Sequence, residues 1–228
     1  MDNRTYTFKK QKGRRFNCVN VLFLSDSEAT RQNIIDNMVF LQRAAGSNDV
    51  AMLYLSGHGE IEKGVYYFFP SDTALDNDGS LITGSAVSIS ELTEALDIPG
   101  RKIVLLDTCH SEVVDTNRIV HSLRNRSTVI FSAAQTDQFA FETGLSDGGS
   151  GLFTSGVTEG IGGKAAADGV VRIRSLEEYV IKHVLDASKE LIERLKEKDS
   201  KWQLPQKEQR PSTWVPESFR DFLISLVE

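Results

Sequence analysis

Two side chains stand where nucleophilic chemistry would be expected. One is the imidazole of His58 in Tyr54-Leu55-Ser56-Gly57-His58-Gly59; the other is the thiol of Cys109 in Ile103-Val104-Leu105-Leu106-Asp107-Thr108-Cys109-His110-Ser111. Each closes an apolar run that reads as a strand buried on both faces. In α/β proteins the residue just past such a strand lies at the rim of an open sheet, where sites are built. A free thiol titrates at about 8.5, so little of it is thiolate near neutrality. An imidazole alongside can take the proton and later return it to a leaving amine. The plain alternative makes Cys109 a small buried hydrophobe and His58 a loop residue. Two matching strand ends, 51 positions apart, favour catalysis.

The neighbours of the pair refine that chemistry. Gly57 and Gly59 flank His58 and let the backbone approach a ligand without a Cβ in the way. The backbone N–H groups of Gly59 and Cys109 are candidate oxyanion donors. Asp107 precedes Cys109 by two residues and shares its face in an extended segment. A carboxylate there suits an Arg or Lys side chain of a substrate; the alternative is a structural Asp capping the next turn. Ser56 stands in the same relation to His58 and adds a hydrogen bond to the same pocket, unless it simply ends the strand. His110 is adjacent to Cys109 and so points to the opposite side, which leaves it local hydrogen bonding or packing. His121 and His183 fall on expected helices and read as structural or surface residues.

The elements that must carry these residues follow from the pattern. Asn17 to Leu24 reads as a strand, and Ser25-Asp26-Ser27 leads into a helix with Ile34, Ile35, Met38, Leu41 and Ala45 at helical spacing. Val50 to Ser56 is the next strand, so the first unit is strand–helix–strand, as in a parallel sheet. Val65 to Phe69 is a short strand and Ser71 to Ala86 a polar loop. Ser88 with Glu91 is a capping box opening a helix to about Leu96. Arg101 to Leu106 is the most apolar strand. A helix from about Val113 to Leu123, a strand over Ser127 to Ser132 and a helix around Leu152 to Gly160 come next. Asp168-Gly169 turns into the strand Val170 to Ile173. Ser175 to Lys198 is a long amphipathic helix, and Glu217 to Val227 a last one. There is no internal repeat, and one α/β domain fits.

The 228 residues are 40% hydrophobic and 25% charged, ordinary values for a globular chain. A net charge of −6 argues against a general nucleic-acid binder; the basic cluster Lys9, Lys10, Lys12, Arg14 and Arg15 reads as a solvated arm. No apolar stretch approaches the ~18 residues that span a bilayer, and the N-terminus carries no signal-peptide pattern. The two cysteines, Cys18 and Cys109, make neither a disulfide framework nor a metal site. A reducing, cytoplasmic setting without membrane or nucleic-acid partners is expected.

The His58 and Cys109 segments together resemble the caspase-like cysteine peptidases, most closely the metacaspase-like and bacterial caspase-like branch. Their separation is close to the ~50 residues between His and Cys in caspases. Asp26 to Ile34, Phe69-Pro70-Ser71-Asp72, Phe131-Ser132-Ala133-Ala134-Gln135, Gly151-Leu152-Phe153-Thr154 and Asp168-Gly169-Val170-Val171 with Leu176 extend the likeness over about residues 17–215. The resemblance implies a caspase-hemoglobinase-like three-layer α/β sandwich with a mainly parallel central sheet flanked by helices. It divides the chain into a polar basic arm (1–16), a large-subunit-like half (17–126) and a small-subunit-like half (127–228). It also implies a His58–Cys109 dyad and, through Asp107, cleavage of protein or peptide substrates after Arg or Lys. By the same analogy, Arg118, Arg124 and Arg126 are candidate self-cleavage points, or basic side chains on a solvated helix face.

Two departures stand out. The family opens with a strand and helix ahead of the stretch that begins here near Asn17. That element is then lost by processing or truncation, supplied by another chain, or replaced by the arm. The competing functional reading follows: a latent or non-catalytic module completed by an activating partner or upstream segment. The second departure concerns calcium. The acidic insertion that accompanies calcium in many metacaspases is absent, since Glu60 to Lys63 passes straight into Val65-Tyr66-Tyr67. Asp72, Asp76 and Asp78 read as a solvated turn, and Asp168-Gly169 cannot supply six oxygen ligands. No cofactor or metal is expected, with calcium activation as the less favoured alternative.

Overall fold

The structure, a computed structural model, describes residues 3–110, 128–133, 151–198 and 208–227. Its strands are β1 (Val50–Glu62), β2 (Val65–Phe68), β3 (Val87–Ser88), β4 (Arg101–His110), β5 (Thr128–Ser132), β6 (Val170–Arg172), β7 (Ser212–Trp214) and β8 (Leu223–Leu226). The helices are α1 (Asn3–Lys9), α2 (Arg31–Ala44), α3 (Ile89–Ala95), α4 (Leu152–Glu159) and α5 (Ile173–Lys198). Six strands form the central sheet in the order β3-β2-β1-β4-β5-β7. β1, β4 and β5 run parallel at its centre, with antiparallel pairings outside them. β6 and β8 make a separate two-stranded ladder.

The apolar run of β4 is continuous because helices cover both faces of the sheet. Val104 and Leu106 enter a core with Ile34 and Met38 of α2 and Leu92 of α3. Ile103 and Leu105, one step out of phase, enter a second core with Phe153 and Val157 of α4 and Leu176, Val180 and Val184 of α5. Local signals start the helices. Thr30 accepts from the Asn33 N–H, and the Asp72 carboxylate accepts from the Arg31 N–H at 2.7 Å, tying a loop to the start of α2. The capping box at Ser88 and Glu91 is formed as expected. The Arg31 guanidinium pairs with Glu91 and so joins α2 to α3.

Three regions differ from the sequence expectation. Residues 17–24 form no strand, so α2 is not preceded by one, and Leu22 is 50% exposed. An apolar run becomes a strand where a neighbouring edge takes its hydrogen bonds, and none of the described strands pairs with this run. Residues 217–227 are a 3-10 turn (Glu217–Phe219) followed by β8 rather than a helix. Phe219, Phe222, Leu223 and Leu226 mimic helical spacing, but so short a run is ambiguous, and the edge of β6 supplies the ladder that decides it.

The third region is the basic arm, in which Lys9, Lys10, Lys12 and Arg14 are exposed as expected but other residues make inward contacts. Over its described part it is folded onto the C-terminal unit, with Phe8 packed in the second core. Gln11 is 6% exposed; its Oε1 accepts from the Leu226 N–H at 2.9 Å and its Nε2 donates to the Leu226 carbonyl at 3.3 Å. Arg15 Nε donates to the Leu223 carbonyl at 2.6 Å. The arm thereby covers the outer edge of β8, which would otherwise be open to pairing. Among the described residues no helix is long and apolar enough to cross a membrane.

Candidate active site

β1 and β4 do not stop where their apolar runs stop. β1 continues through Ser56, Gly57, His58 and Gly59 to Glu62, and β4 through Asp107, Thr108 and Cys109 to His110. The parallel register sets Ser56 opposite Asp107, Gly57 opposite Thr108, His58 opposite Cys109 and Gly59 opposite His110. The two catalytic candidates therefore occupy directly paired positions, one strand spacing of about 4.8 Å apart. Ser56, Gly57 and His58 are exposed.

Period-two alternation divides the residues here between two faces. On one, Thr108 is buried and accepts from the Tyr66 hydroxyl at 3.3 Å. Burial pushes the Tyr66 phenol up to about 12, with the bond to Thr108 pulling slightly the other way. Gly59 is what admits that ring: a Cβ on it would stand 2.6 Å from the Tyr66 oxygen. Gly57 has φ +152°, a backbone setting that favours glycine, and its open side faces Phe68. Both glycines thus have packing reasons to be there, beside any approach of ligand to backbone. Gly59 lies within the ladder, between Phe68 of β2 and His110 of β4.

On the other face, half-buried Asp107 accepts a hydrogen bond from Thr154 Oγ1, and the Tyr54 hydroxyl pairs with the same Thr154 oxygen. Thr154 lies in the first turn of α4, whose N-cap is Gly151. Ser56 is the register partner of Asp107, so the two substrate-binding candidates are adjacent in backbone position. Thr154 and Tyr54 went unassigned in the sequence. The signal for Tyr54 was its place on the Ser56 and His58 side of an alternating strand; Thr154 is far away in sequence and carried none beyond the family-like Gly151-Leu152-Phe153-Thr154.

A family model described as Caspase domain matches residues 7–223. The chain belongs to the caspase-domain family. Its six-stranded sheet between helical layers is accordingly the caspase-hemoglobinase fold. Among solved structures, this caspase domain is similar to protein GSU0716 from Geobacter sulfurreducens, with a TM-score of 0.57 and 16% identity, covering 99% of this chain and 89% of that one. At that identity the likeness is one of fold. No curated protein sequence matches the chain.

The remaining candidates of the caspase domain have structural surroundings. His183 Nε2 is 3.0 Å from Ser155 Oγ, and its ring stacks on Tyr179 with centroids 5.6 Å apart. Glu159 accepts from Tyr179 and Lys164 at 2.9 Å each. Burial works against the Glu159 charge, but those donors, with the neighbouring His183, hold the carboxyl below its ordinary range. This cluster pins α4 to α5. In the acidic loop Asp76 Oδ1 accepts from the Asp78 and Ser80 N–H groups at 2.9 Å, which makes it a turn former. Among the described residues no group of three or more His, Cys, Asp or Glu is placed to hold a metal. Arg118, His121, Arg124 and Arg126 lie outside the described residues.

Proposed function

We propose that this caspase domain is a cysteine endopeptidase of the metacaspase-like kind, cleaving peptide bonds after Arg or Lys. The observation that carries the reading is the direct pairing of His58 with Cys109 across two parallel central strands. In this mechanism His58 takes the Cys109 proton, and the thiolate attacks the scissile carbonyl. The tetrahedral oxyanion is met by the Gly59 and Cys109 N–H groups. His58 then gives its proton to the departing amine, leaving a thioester with Cys109. Water, deprotonated by His58, attacks that thioester; the acid leaves and the thiol is restored. Asp107, with Ser56 beside it, receives the substrate's cationic side chain.

The test is turnover of an arginyl reporter peptide. Cys109→Ala should reduce it at least about a thousandfold, as loss of a nucleophile does, while the circular dichroism spectrum is kept. Turnover retained in that variant sinks the proposal.

One observation favours a second reading, a module latent until a partner completes it. Over Val50–Leu53, β1 has β4 on one side, and no strand among the described residues on the other. That stretch carries neither charge nor proline, the usual guards of a sheet edge. Labelling by a thiol-reactive arginyl peptide that appears only when a partner is added would support the latent module.

A further inference from the structure

Asp107 is the residue on which a preference for basic substrates rests, and the chain does not leave its carboxylate to choose its own orientation. Thr154 has a single hydroxyl proton, and it goes to Asp107 Oδ2. The Tyr54 hydroxyl must then be the donor in its pairing with Thr154 Oγ1. The result is a directed relay, Tyr54 to Thr154 to Asp107, whose donors all point toward the negative charge. It spans three elements: β1, α4 and β4. Gly151 completes the setting, because a Cβ there would stand 3.0 Å from Asp107 Oδ2. The N-cap of α4 thus packs against the carboxylate, where the helix dipole also favours an anion.

We propose that Thr154, backed by Tyr54, is a positioning residue that sets the plane of the Asp107 carboxylate for a guanidinium or ammonium side chain, making α4 part of the specificity pocket. This rests on the reading of Asp107 given under Proposed function. A guanidinium binds a carboxylate best through two parallel hydrogen bonds in one plane. A carboxylate oxygen accepts more than one hydrogen bond, so a bond from Thr154 fixes that plane without by itself closing the carboxylate to a cation. α4 is itself held by the Ser155–His183 contact to α5 at 3.0 Å, so the relay is anchored in the C-terminal core.

The experiment is a binding comparison on the full chain carrying Cys109→Ala, so that no cleavage intervenes. The probes are a fluorescein-labelled peptide ending in arginine amide and its citrulline twin, which has the shape without the charge. The parent should prefer the arginyl peptide. Thr154→Val should weaken arginyl binding by about tenfold to a hundredfold, the range for one hydrogen bond to a charged group, and weaken citrullyl binding much less. Thr154→Ser, which keeps the hydroxyl, should restore the preference, and Tyr54→Phe should show a smaller loss in the same direction. Should Thr154→Val fail to fold, Tyr54→Phe carries the same test. An arginyl preference that survives both substitutions overturns the relay alone. A parent that does not distinguish the two peptides overturns the Asp107 reading and the relay with it.

Discussion

Asp107 and Thr108 are neighbours in sequence, yet they belong to two different worlds. Thr108 turns into an apolar interior closed by Tyr66 and admitted by Gly59; Asp107 turns toward hydroxyl groups from β1 and α4. The same split runs along β1, where Leu55 is buried in the α2–α3 core and Ser56 is exposed. A motif at a strand end is therefore two interleaved motifs. One set of alternate residues builds the floor, and the other presents the chemistry. Residue type within the motif does not reveal which is which; the parity of the position does.

That contrast can be broken from either side. The largest effect is expected on the polar face. Asp107→Asn should lower kcat/KM for an arginyl reporter by roughly 30-fold to several thousand-fold, the range for removing one partner of a buried charge pair. Reactivity of the Cys109 thiol toward iodoacetamide should change far less. Equal losses in both assays would make Asp107 a structural residue and erase the distinction between the faces. Next comes the packed face. Gly59→Ala places a methyl into the Tyr66 ring, and overpacking of this kind costs about 1–3 kcal/mol. Thermal denaturation should show it as a lowered Tm. A Tm unchanged from the parent would mean that the close approach is not structural.

The smallest effect at neutral pH belongs to Tyr66→Phe, about 1 kcal/mol for one hydrogen bond. Its signature is instead pH dependence. The folded phenol is pushed up to about 12 from an ordinary 10, so its contribution to stability is whole below pH 10. Between pH 10 and 12 the unfolded chain gives up a proton that the folded chain keeps, and stability falls as pH rises. Urea midpoints of the parent should drop through that window, and those of Tyr66→Phe should drop less. Parallel curves would show that Tyr66 titrates as an exposed phenol.

Much of this was visible in the residues. The continuous apolar run of Ile103 to Leu106 and the matching run ending at Leu55 required strands covered on both faces. Ser88 with Glu91 marked a helix start that is formed as the capping rule describes. The long helix, expected over Ser175 to Lys198 and formed over Ile173–Lys198, was readable from its apolar stripe. These signals are local, and local physics decided them. Residues 17–24 carry an equally strand-like run, but a strand is a relation between two segments, and this one has no described partner. The C-terminal Phe219 to Leu226 failed in the opposite sense: a helical spacing was overridden by the waiting edge of β6. In the basic arm Lys9, Lys10, Lys12 and Arg14 are exposed as their charge suggests, but polar Gln11 satisfies a distant backbone, a contact over 215 positions that no window along the sequence can contain.

By itself, then, the sequence determined which residues can do chemistry and the strands that carry them, because side-chain type and apolar periodicity act over a few residues. Only the tertiary structure decided that His58 and Cys109 stand in register and that Thr154 reaches Asp107 from 47 positions away. Register depends on how the two strands fit the helices on both faces. The partner of a carboxylate depends on which helix end is packed against it. Both are properties of the assembled core, where neighbours in space are set by packing rather than by order along the chain.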